Sequence, residues 1–280
     1  MPTREDYLPD YWRRSGLDLA VVVAEIHHQR EQWLGEKLEA EARSARRAIA
    51  HSFISGCGIE IGAASRPFPL PPGVSCFYGD VNDNDVLRTR CEGELVPAGN
   101  LDGQTLEGVT DASLDFVIAA HVIEHLENPL GALRHWLRVL RPGGKAIVVV
   151  PDMRHTFDRS RPETPLSHVI SDEKDGGDGT RRQAYEEHIR YVHVELGGVP
   201  VSENEIGSHI DHLISARFDT HFHAWTASGF RIVLDYLCCS SPGRVLVDLP
   251  EVVNENIFVI ERLNDSSNRD HPDPPTSYEV

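Results

Sequence analysis

Two apolar runs with a helix-patterned segment between them constrain this chain more than any other feature. Leu114–Ala120 reads LDFVIAA and is apolar on both faces, as a strand in the middle of a parallel sheet must be. Asn128-Pro129 follows, a helix N-cap and a first-turn proline. Leu130, Leu133, Trp136, Leu137 and Leu140 then recur at helical spacing, and Arg141-Pro142-Gly143-Gly144 ends the helix. Ala146–Val150 is the second apolar run, closed by Pro151-Asp152. Strand, helix and strand at this spacing make a βαβ unit, which implies a parallel sheet.

Upstream, Cys57–Ile61 reads as a short buried strand that stops at Gly62 and opens into a loop. A second strand, Ser75–Tyr78, ends in Gly79-Asp80. Glu60 and Asp80 are about 20 residues apart, the spacing at which a Rossmann-like unit presents a carboxylate to a ribose. A pyrophosphate would need several glycines in the loop, and Ala63, Ala64 and Ser65 stand there instead. A cofactor with ribose and adenine but no phosphate fits better, and S-adenosylmethionine, a sulfonium cation, is one.

The remainder is read in order. Residues 1–15 are expected to form a surface arm, and 16–53 two helices broken near Gly35 that could pair in a homodimer. Pro67, Pro69, Pro71 and Pro72 prevent a long helix directly after the first strand. Glu94-Leu95-Val96 is a candidate third strand. The cofactor-binding half spans 54–151. Residues 152–219 are a helical insertion after the fifth strand, with helices near 164–172, 180–194 and 203–216. It leaves the carboxyl edge of the sheet, where ligands bind, and is expected to cover the substrate. In 220–263 Thr226 caps a helix, and Val245–Leu249 and Ile257–Arg262 are two antiparallel strands. Residues 264–280, with three prolines, read as a disordered tail.

The formal charge of -17 argues against non-specific nucleic-acid binding, which needs a basic surface. Five cysteines without a C-x-x-C pair read as reduced thiols, mostly buried. No apolar run approaches the ~20 residues of a bilayer span, and the start carries no apolar signal region. A soluble cytoplasmic protein with a small-molecule substrate, and neither nucleic acid nor membrane as partner, is the expectation.

Ile59-Glu60-Ile61-Gly62, Tyr78-Gly79-Asp80, His121-Val122-Ile123-Glu124-His125 and Leu140-Arg141-Pro142-Gly143-Gly144 together resemble class I S-adenosylmethionine-dependent methyltransferases. The resemblance covers residues 56–151 well. Pro151–Asp158, Arg161-Pro162 with Thr164, and His221–Thr226 further resemble a bacterial branch associated with glycan or secondary metabolism. The resemblance implies an α/β, Rossmann-like fold with a seven-stranded, mostly parallel sheet whose last strand is antiparallel. It implies that Glu60 and Gly62 border the methionine part of the cofactor, that Asp80 holds the ribose hydroxyls, and that Asp102 reaches the adenine. Ala120 and His121 would line the pocket, with Ala63, Val81, Leu101 and Gly103 in the same cradle. Ala63-Ala64-Ser65 departs from the family's glycine-richer loop.

Methyl transfer to a hydroxyl needs a base near the acceptor, and histidine titrates in the useful range. Asp152 and His155 leave the fifth strand at the ligand edge, and His221 and His223 alternate on one extended piece, facing one side. These four are the candidate bases, although each could equally be a buried or ion-paired structural group. His125 reads as a structural hydrogen-bonder. His209, His212, His221 and His223 are weak candidates for a metal site that matches no defined zinc signature, and no metal is expected. O-methyl transfer to a small molecule is the leading function. The alternatives are N-methyl transfer, a non-methylating S-adenosylmethionine protein, a non-catalytic partner-binding subunit, and an NAD-linked oxidoreductase, which the missing G-x-G-x-x-G disfavours.

Overall fold

The computed structural model describes residues 19–91 and 93–264. The expected surface arm lies outside the described residues, and so does the expected tail beyond Asn264. The chain divides into two compact units, 1–44 and 45–280. Helix α1 runs from Leu19 to Phe53 without a break, so one helix replaces the two expected. Gly35 has nothing within 4 Å of its absent side chain. A single interior glycine costs a helix only about 1 kcal/mol, too little to interrupt it.

The second unit holds a seven-stranded sheet: β1 (Cys57–Ile61), β2 (Ser75–Asp80), β3 (Gly99–Asn100), β4 (Leu114–Ala120), β5 (Leu140–Pro151), β6 (Gly243–Val252) and β7 (Glu255–Arg262). The order is β3-β2-β1-β4-β5-β7-β6. β7 runs antiparallel to both its neighbours and every other pair is parallel. The order reverses between β1 and β4, the switch point at which sheets of this kind bind ligands beyond the strands' carboxyl ends.

The third strand is two residues long and follows helix α2 (Asn84–Arg90), after the expected position. Glu94–Val96 does not pair with β2; the Val96 N–H instead donates to the Ala64 carbonyl at 3.0 Å, tying this stretch to the loop after β1. Gly99 and Asn100 make the parallel pairs with Gly79 and Asp80. β5 begins six residues earlier than Ala146, because Leu140 already pairs with Leu114.

Strand alternation sorts side chains between two cores. Ile59, Ile61, Val117, Ala119 and Val148 face helices α3 (Pro129–Val139) and α7 (Ala227–Ser240). Phe116, Ile118, Ile147 and Val149 face Ile49 and Ala50 at the end of α1. In α3 the buried Leu130, Leu133, Trp136 and Leu137 share one stripe. Each such side chain contributes roughly 1.5–3 kcal/mol when removed from water. The Asn128 side chain caps α3 by accepting from the Gly131 N–H at 2.8 Å, and Thr226 caps α7 by accepting from the Gly229 N–H at 3.3 Å.

The insertion folds as α4 (Leu166–Asp175), α5 (Arg181–Glu187) running into a π-helical stretch at His188–Leu196, and α6 (Glu203–Ala216). It has its own small core around Tyr185, Ile206, Ile210 and Phe222. Arg161 is fully buried at its base. Its guanidinium pairs with Asp158 at 2.7 Å and Glu187 at 3.0 Å, and donates to the carbonyls of His221 at 2.8 Å and Phe222 at 3.3 Å. A buried charge persists only when its donors are satisfied in this way, so this one residue fixes the path of the His221–Phe222 segment.

All five cysteines are unpaired thiols, but none is buried: Cys57 is exposed and Cys76, Cys91, Cys238 and Cys239 are half-buried. Among the described residues no helix is long and apolar enough to cross a membrane.

Candidate active site

A cavity of about 870 Å³ opens beyond the carboxyl ends of β1, β2 and β4. That volume lies within the range of small-molecule and cofactor sites. One wall is the sheet edge, with Gly62, Asp80 and Val81, and the segment Leu101–Gln104. His121, Val122 and His125 form the floor after β4, and Tyr185, Phe218, Asp219 and Phe222 come from the insertion and the segment after it.

Gly62 must be glycine. Its φ is +68°, and an added Cβ would stand 2.8 Å from Val122 Cγ2. Its N–H donates to the Gly79 carbonyl at 2.9 Å, holding the ends of β1 and β2 together. Asp80 ends β2 and is nearly buried. Its Oδ1 accepts from the Asn82 N–H at 2.7 Å and from the Asn82 amide at 3.1 Å, which leaves Oδ2 for a ligand. Asp102 is exposed at the rim and closes a turn: Oδ1 accepts from the Gln104 N–H at 2.8 Å and Oδ2 from the Thr105 hydroxyl at 3.0 Å. The Trp136 indole N–H donates to the Gly103 carbonyl at 2.7 Å and anchors this rim to α3.

Gly62, Asp80, Val81, Leu101, Asp102, Gly103 and His121 therefore line one cavity, whereas Glu60, Ala63 and Ala120 do not. Glu60 turns its side chain away from the cavity. It lies between Ile59 and Ile61 in an extended strand, so its side chain points to the opposite face. There its carboxylate accepts from the Phe68 N–H at 2.8 and 3.1 Å. Burial pushes its pKa up to about 7, against the lowering effects of that hydrogen bond and of Arg46. Ala120 faces the same second core.

The four candidate bases also lie off the cavity lining. Asp152 is buried and capped by Arg154, which donates to it at 2.8 and 2.6 Å; these bonds hold its carboxyl below the usual range despite burial. His155 is exposed outside the lining. His223 is fully buried, 2.9 Å from Asp172 and stacked on Trp225, and burial lowers its pKa. His221 sits just behind the wall, with Nδ1 2.5 Å from Asp158. His221 and His223 thus serve separate clusters rather than one face. His209 and His212 are exposed on α6, and among the described residues they join no cluster of metal-ligand geometry.

The histidines that do line the cavity are His121 and His125. His121 ends β4 in a left-handed conformation, φ +55°, a strained state that persists only where its surroundings fix it. Two bonds do so: its N–H donates to the Val149 carbonyl at 2.9 Å, and its Nε2 lies 2.9 Å from Glu255 Oε2. Glu255 in turn accepts from Arg46 at 2.8 and 2.5 Å. Burial raises the Glu255 pKa, but the bonds from His121 and Arg46 outweigh it and carry the carboxyl down to about 2. Glu255 is invisible to sequence reasoning, since it is one acid at the start of a strand, with its partners far away in the chain. His125 Nδ1 lies 2.8 Å from Asp219, and that partner and nearby acids raise its pKa against the effect of burial.

Residues 55–148, the stretch that carries the Gly62, Asp80 and His121 walls, match the family model described as a methyltransferase domain. Residues 55–148 carry a methyltransferase domain. No curated protein matches the chain. Among solved structures it is similar to a SAM-dependent methyltransferase, possible histamine N-methyltransferase, from Thermotoga maritima, at 15% identity over 85% of this chain and 97% of that one, TM-score 0.44. It is similar to 1,6-didemethyltoxoflavin-N1-methyltransferase from Burkholderia thailandensis at 12% identity over 88% and 87%, TM-score 0.44. It is also similar to the CurJ carbon methyltransferase at 16% identity over 74% of this chain, TM-score 0.41, and spans 48% of the length of that protein.

Proposed function

We propose that the methyltransferase places S-adenosylmethionine along the Gly62–Asp80–Gly103 wall and transfers its methyl group to a hydroxyl of a small molecule held under the insertion. One observation carries this reading: Asp80 and His121 open on the same cavity from either side of β1. Asp80 Oδ2 accepts hydrogen bonds from the ribose hydroxyls. Phe218, Phe222 and Tyr185 supply an apolar cover on the acceptor side.

In the transfer an acceptor oxygen lone pair forms the new bond to carbon. The carbon–sulfur bond breaks, with its electron pair staying on sulfur, and the positive charge of the sulfonium disappears. The hydroxyl proton must leave, and His121 is the base on this wall. Glu255, ionised at any working pH, accepts Nε2–H and so fixes the tautomer that keeps a lone pair on Nδ1. Base catalysis of this kind is worth about 10²–10⁴-fold.

The test is methyl incorporation from labelled S-adenosylmethionine across a panel of small hydroxyl, amine and carbon acceptors. Label in hydroxyl products, reduced about a hundredfold or more by His121→Asn, is the expected result. Label confined to amine or carbon products would overturn the choice of oxygen.

A further inference from the structure

We propose that Glu124, His125 and His221 form a binding site for one divalent transition-metal ion, of the zinc, cobalt or manganese class, on the cavity wall. One donor atom from each of the three lies within 4.8 Å of the others. His221 turns Nε2 to within 4.0 Å of Glu124 Oε1, and the His125 and His221 rings meet edge to face at 4.7 Å.

Glu124 is the independent observation that points to an ion. Its side chain is 1% exposed, yet neither carboxylate oxygen accepts a hydrogen bond. A buried carboxylate without bonds is costly, and this one, with His221 Nε2 at 4.0 Å, His121 Nδ1 at 3.8 Å and His125 beside it, has the environment of a ligand. Its backbone is firmly held: the Glu124 carbonyl accepts from the N–H groups of Phe222 at 2.8 Å and His223 at 3.2 Å. The same two bonds bring His221 to the site.

Both histidines are prepared for a metal. The other ring nitrogen of each already faces a carboxylate, His221 Nδ1 on Asp158 at 2.5 Å and His125 Nδ1 on Asp219 at 2.8 Å. Metal-binding histidines characteristically give their second nitrogen to a carboxylate, which fixes the tautomer and strengthens the ligand. The cluster His168–Asp172–His223 lacks this preparation: Asp172 already accepts from Thr180, and among the described residues no second acid serves its histidines. Donors bonded to a tetrahedral ion at 2.0–2.1 Å stand about 3.4 Å apart, so side-chain rotations of about an ångström close the site.

Two imidazoles and one carboxylate suit zinc, cobalt, iron or manganese better than calcium or magnesium. Three protein ligands leave coordination positions open. His125 and the adjacent Asp219 line the cavity, whereas Glu124 and His221 lie behind them, so the open positions face the acceptor space. A metal there lowers the pKa of a hydroxyl that binds it. This role rests on the oxygen-transfer reading above; the ion site does not.

The test uses the full chain, stripped with a chelator and titrated with Co²⁺ while its visible absorption is followed. One equivalent of Co²⁺ per chain, displaced by Zn²⁺, is expected. Glu124→Gln and His221→Ala should weaken binding at least a hundredfold, Asp219→Asn by about 10–100-fold, and His209→Ala, on exposed α6, not at all. Circular dichroism of each variant separates a lost ligand from a lost fold, and the titration of the unaltered chain decides on its own. Absence of stoichiometric Co²⁺ or Zn²⁺ binding to that chain, or equal binding by folded Glu124→Gln, would overturn the site. S-adenosylhomocysteine titrated into the same samples reports the cofactor wall separately, so failure of one reading does not imply failure of the other.

Discussion

His121 Nε2 and Glu255 Oε2 meet at 2.9 Å across 134 residues of sequence, joining the end of β4 to the start of β7. Arg46 completes the chain from the other side. Glu255→Gln keeps the shape but removes the charge that pairs with Arg46. Breaking a buried ion pair costs about 3–5 kcal/mol; with Arg46 partly exposed the expected loss is roughly 2 kcal/mol, measured by urea unfolding at pH 7. The pKa of Glu255 is depressed on folding. Its stabilisation is therefore present above the ordinary glutamate value of 4.5 and is lost as pH falls toward about 2. The gap between wild type and Glu255→Gln should accordingly narrow on going from pH 7 to pH 3.

Glu60 predicts the opposite slope. Its pKa rises on folding to about 7, so its favourable state is the protonated one. That contribution is complete below pH 4.5 and is lost as pH climbs through 7. Glu60→Gln retains an acceptor for the Phe68 N–H and removes the ionisation. The variant should gain on the order of 2 kcal/mol relative to wild type between pH 5 and pH 8, read by thermal or urea unfolding across that range. Parallel profiles for the two proteins would contradict the assignment.

These two glutamates show where sequence reading succeeded and where it did not. The strands β1, β2, β4 and β5 announce themselves through runs of apolar residues, and Gly62 and Asp80 through their position at strand ends. Its spacing to Asp80 and the family resemblance both point Glu60 at the cofactor, whereas strand alternation places it on the face opposite Ile59 and Ile61. β3 has two residues and no pattern to detect. The histidines failed for another reason. His221 is defined by Asp158, 63 residues away, and His223 by Asp172, 51 residues away. Nothing local in His-Phe-His distinguishes two separate partners from one shared face. Arg161 enters the sequence reading only through the Arg161-Pro162 run, and its carbonyl partners on His221 and Phe222 are 60 and 61 residues away.

Gly62→Ala tests the floor of the cavity. A left-handed alanine costs roughly 1–2 kcal/mol, and the new methyl would press on the stiff, β-branched Val122, which lines the cavity. Expected are a stability loss of about 2 kcal/mol and weaker cofactor binding together. A variant with wild-type melting and wild-type affinity would mean that Val122 does not hold the floor.

The cofactor wall is tested most directly by calorimetric titration of the full chain with S-adenosylhomocysteine, wild type beside Asp80→Ala. The prediction is one site per chain in the wild type and, in the variant, loss of two hydrogen bonds to a charged acceptor, about 3 kcal/mol or roughly a hundredfold in affinity. Equal affinity in the two proteins, or no heat of binding in the wild type, would contradict the account.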